Sequence, residues 1–266
     1  MSLFDRCFYY PNRVRYDSPS RLGLAHETVA FQSDGGPRLS GWFFPAVGEA
    51  RGTVLHLHGN AGNMTGHFLH VAWLPGQGWN VLCFDYRGYG DSEGTVTREG
   101  TIADAHAALD YLLSRDDVDH TRIVAFGQSL GGAIGIVLAA TRPEVKGLAV
   151  DGAFDSYRRI AAWHIRHNPL LLAVGWWVPS LAMSDDHTPI DHVGQIAPRP
   201  LFVMHGDNDH VVDPRMARRL YDAANEPKSI WMVEGADHYG ALQEHEDEAQ
   251  SRLIQFFASA ITTLPS

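Results

Sequence analysis

The sequence predicts an α/β protein: a mostly parallel, eight-stranded sheet with helices on both faces and a short helical lid. Three observations carry that reading. Short β-rich apolar runs alternate with helix-like runs along nearly the whole chain. No internal repeat or low-complexity linker interrupts them. A glycine-rich turn, Gly127-Gln128-Ser129-Leu130-Gly131-Gly132, joins one apolar run directly to a small-residue helical stretch. At 266 residues the chain suits a single α/β-type domain.

Two early segments, near 27–32 and 39–44, alternate polar and apolar residues around the turn signal Asp34-Gly35-Gly36-Pro37, and read as a hairpin. Six further strands are expected at Thr53–Leu57, Asn80–Phe84, Arg122–Phe126, Gly147–Val150, Leu201–Met204 and Ser229–Val233. Each is a four-to-six-residue apolar run of the kind buried on both faces. Between them, 101–114 sets Ile102, Ala105, Leu109 and Leu112 at helical spacing. Leu130–Thr141 is rich in Gly and Ala and stops before Pro143. Pro214–Ala224 begins with proline at a first-turn position, and 242–261 is expected to close the chain as one helix. From about 155 to 196 no strand signal appears. That stretch is too long for a plain crossover, so it reads as a lid over the C-terminal edge of the sheet.

The formal net charge of −10 and the lack of any Lys/Arg run argue against a nucleic-acid or anionic-membrane partner. Cys7 and Cys83 are the two cysteines, and Cys83 falls inside a strand pattern, so no disulfide framework is expected. Asp5, Arg6 and Pro11 interrupt the first residues before a signal-peptide core can form, and no segment reaches the length of a spanning helix. The nearest, 169–183, is short and holds Pro179. A cytoplasmic location is the resulting expectation.

The chemistry begins at Ser129. A hydroxyl on a tight strand-to-helix turn is exposed above the sheet edge, and flanking glycines remove the crowding that such a turn creates. A serine is a weak nucleophile until a base takes its proton, so a histidine and an orienting carboxylate are required. His238, in Gly235-Ala236-Asp237-His238, follows the last strand. Asp209, in His205-Gly206-Asp207-Asn208-Asp209, follows the strand before it. Both therefore emerge at the same edge as Ser129, in the chain order Ser, Asp, His. Asp207 and Asp151 are the alternative carboxylates, and Asp209 is preferred. The oxyanion needs preorganised N–H donors. One is the amide of Leu130. The other is expected from His58-Gly59-Asn60-Ala61-Gly62-Asn63, with Asn60 and Ala61 both open. In the lid, Trp163, Trp176 and Trp177 either line an acyl pocket or pack the lid onto the core. The other histidines, among them His56, His67 and His70, read as packed or surface residues.

Taken together, HGNAGN at 58–63, DYRGYGDSEG at 85–94, GQSLGG at 127–132, HGDND at 205–209 and GADH at 235–238 resemble the BEM46-like serine hydrolases of the α/β-hydrolase superfamily. The resemblance runs from about residue 26 to the C-terminus. It implies the α/β-hydrolase fold, a triad of Ser129, Asp209 and His238, and an oxyanion hole of Leu130 with Asn60 or Ala61. Gln128 stands where many relatives carry arginine, and the membrane-anchoring helix that begins many relatives has no counterpart in the first residues. Within DYRGYGDSEG, Arg87 and Asp91 are expected to brace the oxyanion loop, and Ser92 to be structural.

The expected activity is hydrolysis of a small-molecule ester or acyl substrate through an acyl-enzyme, with no metal or organic cofactor, since no HExxH or comparable ligand spacing occurs. Thioester or amide cleavage would use the same triad. A non-catalytic binding protein on this scaffold is the contrasting class.

Overall fold

The computed structural model describes residues 8–33, 35–167 and 184–262. Eight strands pair into one sheet: β1 (Glu27–Gln32), β2 (Arg38–Phe44), β3 (Gly52–Leu57), β4 (Trp79–Phe84), β5 (Ile123–Gln128), β6 (Val145–Asp151), β7 (Leu201–Gly206) and β8 (Lys228–Val233). Their order across the sheet is β8-β7-β6-β5-β3-β4-β2-β1. β2 runs antiparallel to both β1 and β4, and every other neighbouring pair is parallel.

Burial follows position in this order. Every residue of β3, β4, β5 and β7 is buried, whereas the edge strands β1 and β8 keep mostly exposed or half-exposed residues. The period of two divides each strand between two apolar layers. Leu55 and Leu57 join Leu109, Ile134, Leu148 and Val203 on one face; Val54 joins Val81, Phe126, Phe202, Leu253 and Phe257 on the other.

The main helices are α1 (Arg98–Leu113), α2 (Leu130–Thr141), α3 (Tyr157–His167), α4 (Arg215–Ala223), α5 (Gly240–Glu244) and α6 (Glu246–Thr262). α1 starts where the Thr97 side chain accepts the Gly100 amide, which satisfies one of the first-turn donors. The single closing helix expected from sequence is two helices. The chain leaves helical geometry at His245 (φ −125°, ψ 40°), and α6 restarts on the acidic first turn Glu246, Asp247 and Glu248.

Of the expected lid, α3 and the one-turn helix Pro189–His192 are described; Trp176 and Trp177 lie outside the described residues. A second, two-stranded pairing joins Tyr10–Pro11 in parallel to Ala61–Gly62. Among the described residues no helix is long and apolar enough to cross a membrane.

From β3 the chain passes to β4 on one side and then to β5 on the other. The loops after β3 and β5 therefore part company at a crevice outside the strand ends, the place where open α/β sheets bind ligands.

Candidate active site

Ser129 occupies that crevice. It links β5 to α2 with φ 51° and ψ −113°, a conformation a non-glycine residue adopts only where its surroundings hold it. Its amide donates to the Asp151 carbonyl at 2.8 Å, while its carbonyl accepts from Gly132 and Ala133. Glycine is required on both sides of the turn. A Cβ on Gly127 would lie 2.4 Å from the Gly131 carbonyl oxygen, and one on Gly131 would lie 1.9 Å from the Leu57 carbonyl oxygen. α2 can thus press its first turn onto the end of β3, bringing the amide side of Leu130 next to the loop that begins at His58.

His238 and Asp209 meet. His238 Nδ1 donates to Asp209 Oδ2 at 2.7 Å. The other carboxylate oxygen, Oδ1, accepts the amides of Val211 (2.7 Å) and Val212 (2.8 Å). His205, fully buried, brings Nε2 to 3.1 Å from Asp209 Oδ2 and to 3.0 Å from the Val212 carbonyl. Burial opposes the charge on Asp209. The hydrogen bonds from His205 and His238 outweigh it and hold the carboxyl well below the ordinary carboxylate range. An ionised carboxylate can only accept, so His238 Nδ1 supplies the hydrogen of this contact.

Ser129 and His238 flank the same turn at the end of β6. A Cβ on Gly152 would sit 2.8 Å from His238 Cε1, and Asp151 holds the Ser129 amide. The structure pairs Asp209, and neither Asp207 nor Asp151, with His238. Asp207 Oδ1 accepts the Gly235 amide at 2.7 Å and so ties the two loops together. Asp151 lies buried beneath, and burial pushes its carboxyl up to about 6.

The loop after β3 is held from several sides. His67 Nε2 lies 2.8 Å from the Ala61 carbonyl. The Asn60 side chain faces the N-terminal segment: Nδ2 donates to the Phe8 carbonyl, and Oδ1 accepts from the Tyr10 amide (3.1 Å) and the Tyr89 hydroxyl (2.9 Å). Asn63 Nδ2 donates to the Val14 carbonyl at 2.8 Å, while its Oδ1 caps the short helix Met64–His67 by accepting the Thr65 amide.

The expected brace from Arg87 and Asp91 is not what is found. Arg87 pairs with Asp104 on α1 at 2.7 Å, and Asp91 pairs with Arg15 at 2.8 Å. The carboxylate under the loop is Asp85, whose Oδ1 accepts the Met64 amide at 2.7 Å. It directly follows β4, whereas Arg87 has already turned toward α1. Ser92 is buried and structural, donating to the Asp85 carbonyl at 2.6 Å and accepting the Ser40 amide at 2.9 Å.

Gln128, fully buried, points away from the crevice and lies 3.1 Å from His56 Nε2. Burial lowers His56 to about 3, so it stays neutral there. On α3, Trp163 is half-buried against the main apolar layer, its ring tilted against that of His167. Burial is the main cause that lowers His164 on the same helix, with His238 lowering it further and Asp209 opposing.

Sequence reasoning passed over two neighbours of the site, His205 and Tyr239. His205 stands four residues before Asp209 at the end of β7, a spacing that does carry a signal. Tyr239 adopts φ 63° and packs its ring, tilted, against His238 with centroids 4.1 Å apart, and nothing local in the sequence announces that conformation. Among the described residues no cluster of three or more His, Cys, Asp or Glu could hold a metal ion.

Comparisons with known proteins agree with this architecture. A family model described as the alpha/beta hydrolase fold matches residues 52–182. The uncharacterized protein YfhR of Escherichia coli strain K12 is 33% identical over 261 residues, covering 96% of this chain and 87% of YfhR. The alpha/beta hydrolase domain-containing protein WAV2 of Arabidopsis thaliana is 36% identical over 221 residues, 78% of this chain and 69% of WAV2. Among solved structures, the Pyrococcus furiosus esterase Pf2001 superposes with a TM-score of 0.79 at 23% identity, covering 95% of this chain and 99% of that one. Protein bem46 of Schizosaccharomyces pombe is 26% identical over 85% of this chain and 75% of its own length. The chain belongs to the α/β-hydrolase family, in its BEM46-like branch.

Proposed function

We propose that the protein is a serine hydrolase that cleaves carboxylic esters through an acyl-enzyme on Ser129. The observation that carries this reading is the 2.7 Å contact between His238 Nδ1 and Asp209 Oδ2, set beside a serine held at φ 51° on the strand-to-helix turn. The family and its esterase neighbours support hydrolase chemistry.

In the first half-reaction Ser129 Oγ attacks the acyl carbon and its proton passes to His238 Nε2. The carbonyl pair moves onto oxygen, where the amides of Leu130 and of Asn60 or Ala61 receive the charge. The carbonyl then re-forms, the bond to the leaving alkoxide breaks, and His238 gives that alkoxide its proton. Water repeats the sequence on the acyl-enzyme and releases the acid. Asp209, ionised by its two imidazole neighbours and two amides, steadies the imidazolium at each stage.

The test is fluorophosphonate labelling with hydrolysis of a short-chain aryl ester. Labelling is expected on Ser129 alone, and Ser129→Ala is expected to lower kcat about a thousandfold or more with an unchanged melting temperature. Turnover by that variant close to the parent's would refute the assignment. A matched ester, thioester and amide of one acyl group, ranked by kcat/KM, would test the ester preference.

A further inference from the structure

Tyr239 follows the base directly, yet its ring does not continue outward with the loop. Its left-handed backbone (φ 63°) folds the side chain back over His238, an arrangement that a bulky residue adopts only under constraint. The ring also approaches His70, with centroids 5.4 Å apart, so it is wedged between the catalytic loop and the loop after β3. The Ser129 side chain is among the polar groups that act on its hydroxyl. The hydroxyl also lies so close to the Gly59 backbone that a Cβ there would stand 2.1 Å from it.

Gly59 is the residue before Asn60, whose amide is one of the two candidates for the second oxyanion donor. A hydroxyl resting on the Gly59 backbone, on the ring that packs against His238, therefore borders the space that the carbonyl oxygen of a substrate attacked by Ser129 must enter. We propose that Tyr239 is a catalytic residue, its hydroxyl serving as a side-chain donor to the oxyanion beside the backbone amides. This rests on the reading of Ser129 as nucleophile.

In the resting site the Ser129 side chain acts on the phenol hydroxyl. As the Oγ–C bond forms and the Oγ proton moves to His238, the carbonyl oxygen takes the electron pair and the phenol O–H turns to donate to it. The phenol keeps its own proton throughout. When the carbonyl re-forms and the leaving group departs, that hydrogen bond weakens again, so the interaction is strongest in the transition state, where it lowers the barrier. Burial pushes the Tyr239 phenol far above the ordinary range, so it remains a donor at any working pH.

The experiment compares the parent protein with Tyr239→Phe, which removes the hydroxyl and keeps the ring. For a short-chain aryl ester, kcat is expected to fall roughly 10- to 100-fold with KM changed less than about threefold. The Ki of a trifluoromethyl ketone, which forms an oxyanion on the serine, should weaken by the same factor as kcat/KM. Gly59→Ala should reproduce the loss by displacing the hydroxyl, and in the Tyr239→Phe background it should cost much less, because the collision partner is gone. Unchanged kcat in Tyr239→Phe, or a faster enzyme, would overturn the proposal, the latter by showing that the hydroxyl blocks the hole. A parent protein that no fluorophosphonate labels on Ser129 would instead overturn the serine-hydrolase reading itself.

Discussion

Asp209 Oδ2 accepts from His238 Nδ1 at 2.7 Å and lies 3.1 Å from His205 Nε2, so a single carboxylate oxygen is shared by two imidazoles. One of them, His238, packs against Gly152, and the other, His205, is fully buried. Asp209→Asn replaces the shared acceptor with a group that can donate, and the His238 ring then loses the partner that fixes its proton on Nδ1. On the triad reading kcat should fall on the order of ten-thousandfold, with little change in KM. Steady-state kinetics on the aryl ester measure this, and a loss below tenfold would count against Asp209.

His205 is the rear support. Its Nε2 bridges Asp209 and the Val212 carbonyl, and it acts on the chemistry only through Asp209. His205→Gln, which keeps an amide donor at similar reach, should retain much of the activity. His205→Leu should lose roughly 10- to 100-fold in kcat, by analogy with other hydrogen-bonded partners of site residues. A purely structural role would lower the melting temperature of both variants without separating their kcat values.

Asp151 and Asp209 respond to pH in opposite senses. Burial raises Asp151 to about 6, with the nearby His238 and His205 pulling the other way. Below the ordinary carboxylate value it is protonated in both folded and unfolded chains and costs nothing. As pH climbs through about 6 the unfolded chain ionises more readily, so the folded state loses stability. Asp151→Asn is therefore expected to raise the melting temperature at pH 8 and leave it nearly unchanged at pH 4, the gain being on the order of 3 kcal/mol at most. Asp209, held low, contributes stability that is complete above about pH 4 and drains away as pH falls further. Thermal melts across pH 3–9 on the parent and both variants resolve the two effects.

Asn60 anchors residues 8–10 through two side-chain bonds, to the Phe8 carbonyl and the Tyr10 amide, and is itself steadied by the Tyr89 hydroxyl. Asn60→Ala keeps the backbone amide but strips that anchor. A stability loss of about 1–3 kcal/mol is expected, together with faster proteolysis ahead of Tyr16. Denaturant titration and limited trypsin digestion provide the check. Proteolysis as slow as the parent's would show that the Tyr10–Ala61 pairing holds the segment without this side chain.

What the sequence made legible was whatever local pattern encodes. Strands such as β5 and β7 are runs whose every residue is buried, and Ser129 and Asp209 follow them directly or nearly so, while His238 follows β8, an apolar run at the sheet edge that is mostly half-exposed. Features that depend on a distant partner were not legible. The Tyr10–Pro11 pairing is too short for any periodicity to show. Asp85 supports the loop after β3 because β4 ends beside it, and no spacing distinguishes Asp85 from Asp91. Tyr239 turns back through a left-handed residue that carries no glycine to mark it. The break at His245 did leave a trace, the run Glu246-Asp247-Glu248, which suits a fresh helix start as well as a continuing polar face.

The lacing of residues 8–16 onto the loop after β3 makes that stretch a lever. Tension applied ahead of Phe8, by a surface, a fused domain or a bead, reaches Asn60 and Ala61 before it reaches any strand of the eight-stranded sheet. On the proposed mechanism such a pull would disturb the loop whose amide is to receive the oxyanion, so a tag joined ahead of Phe8 is less innocent than one placed after α6.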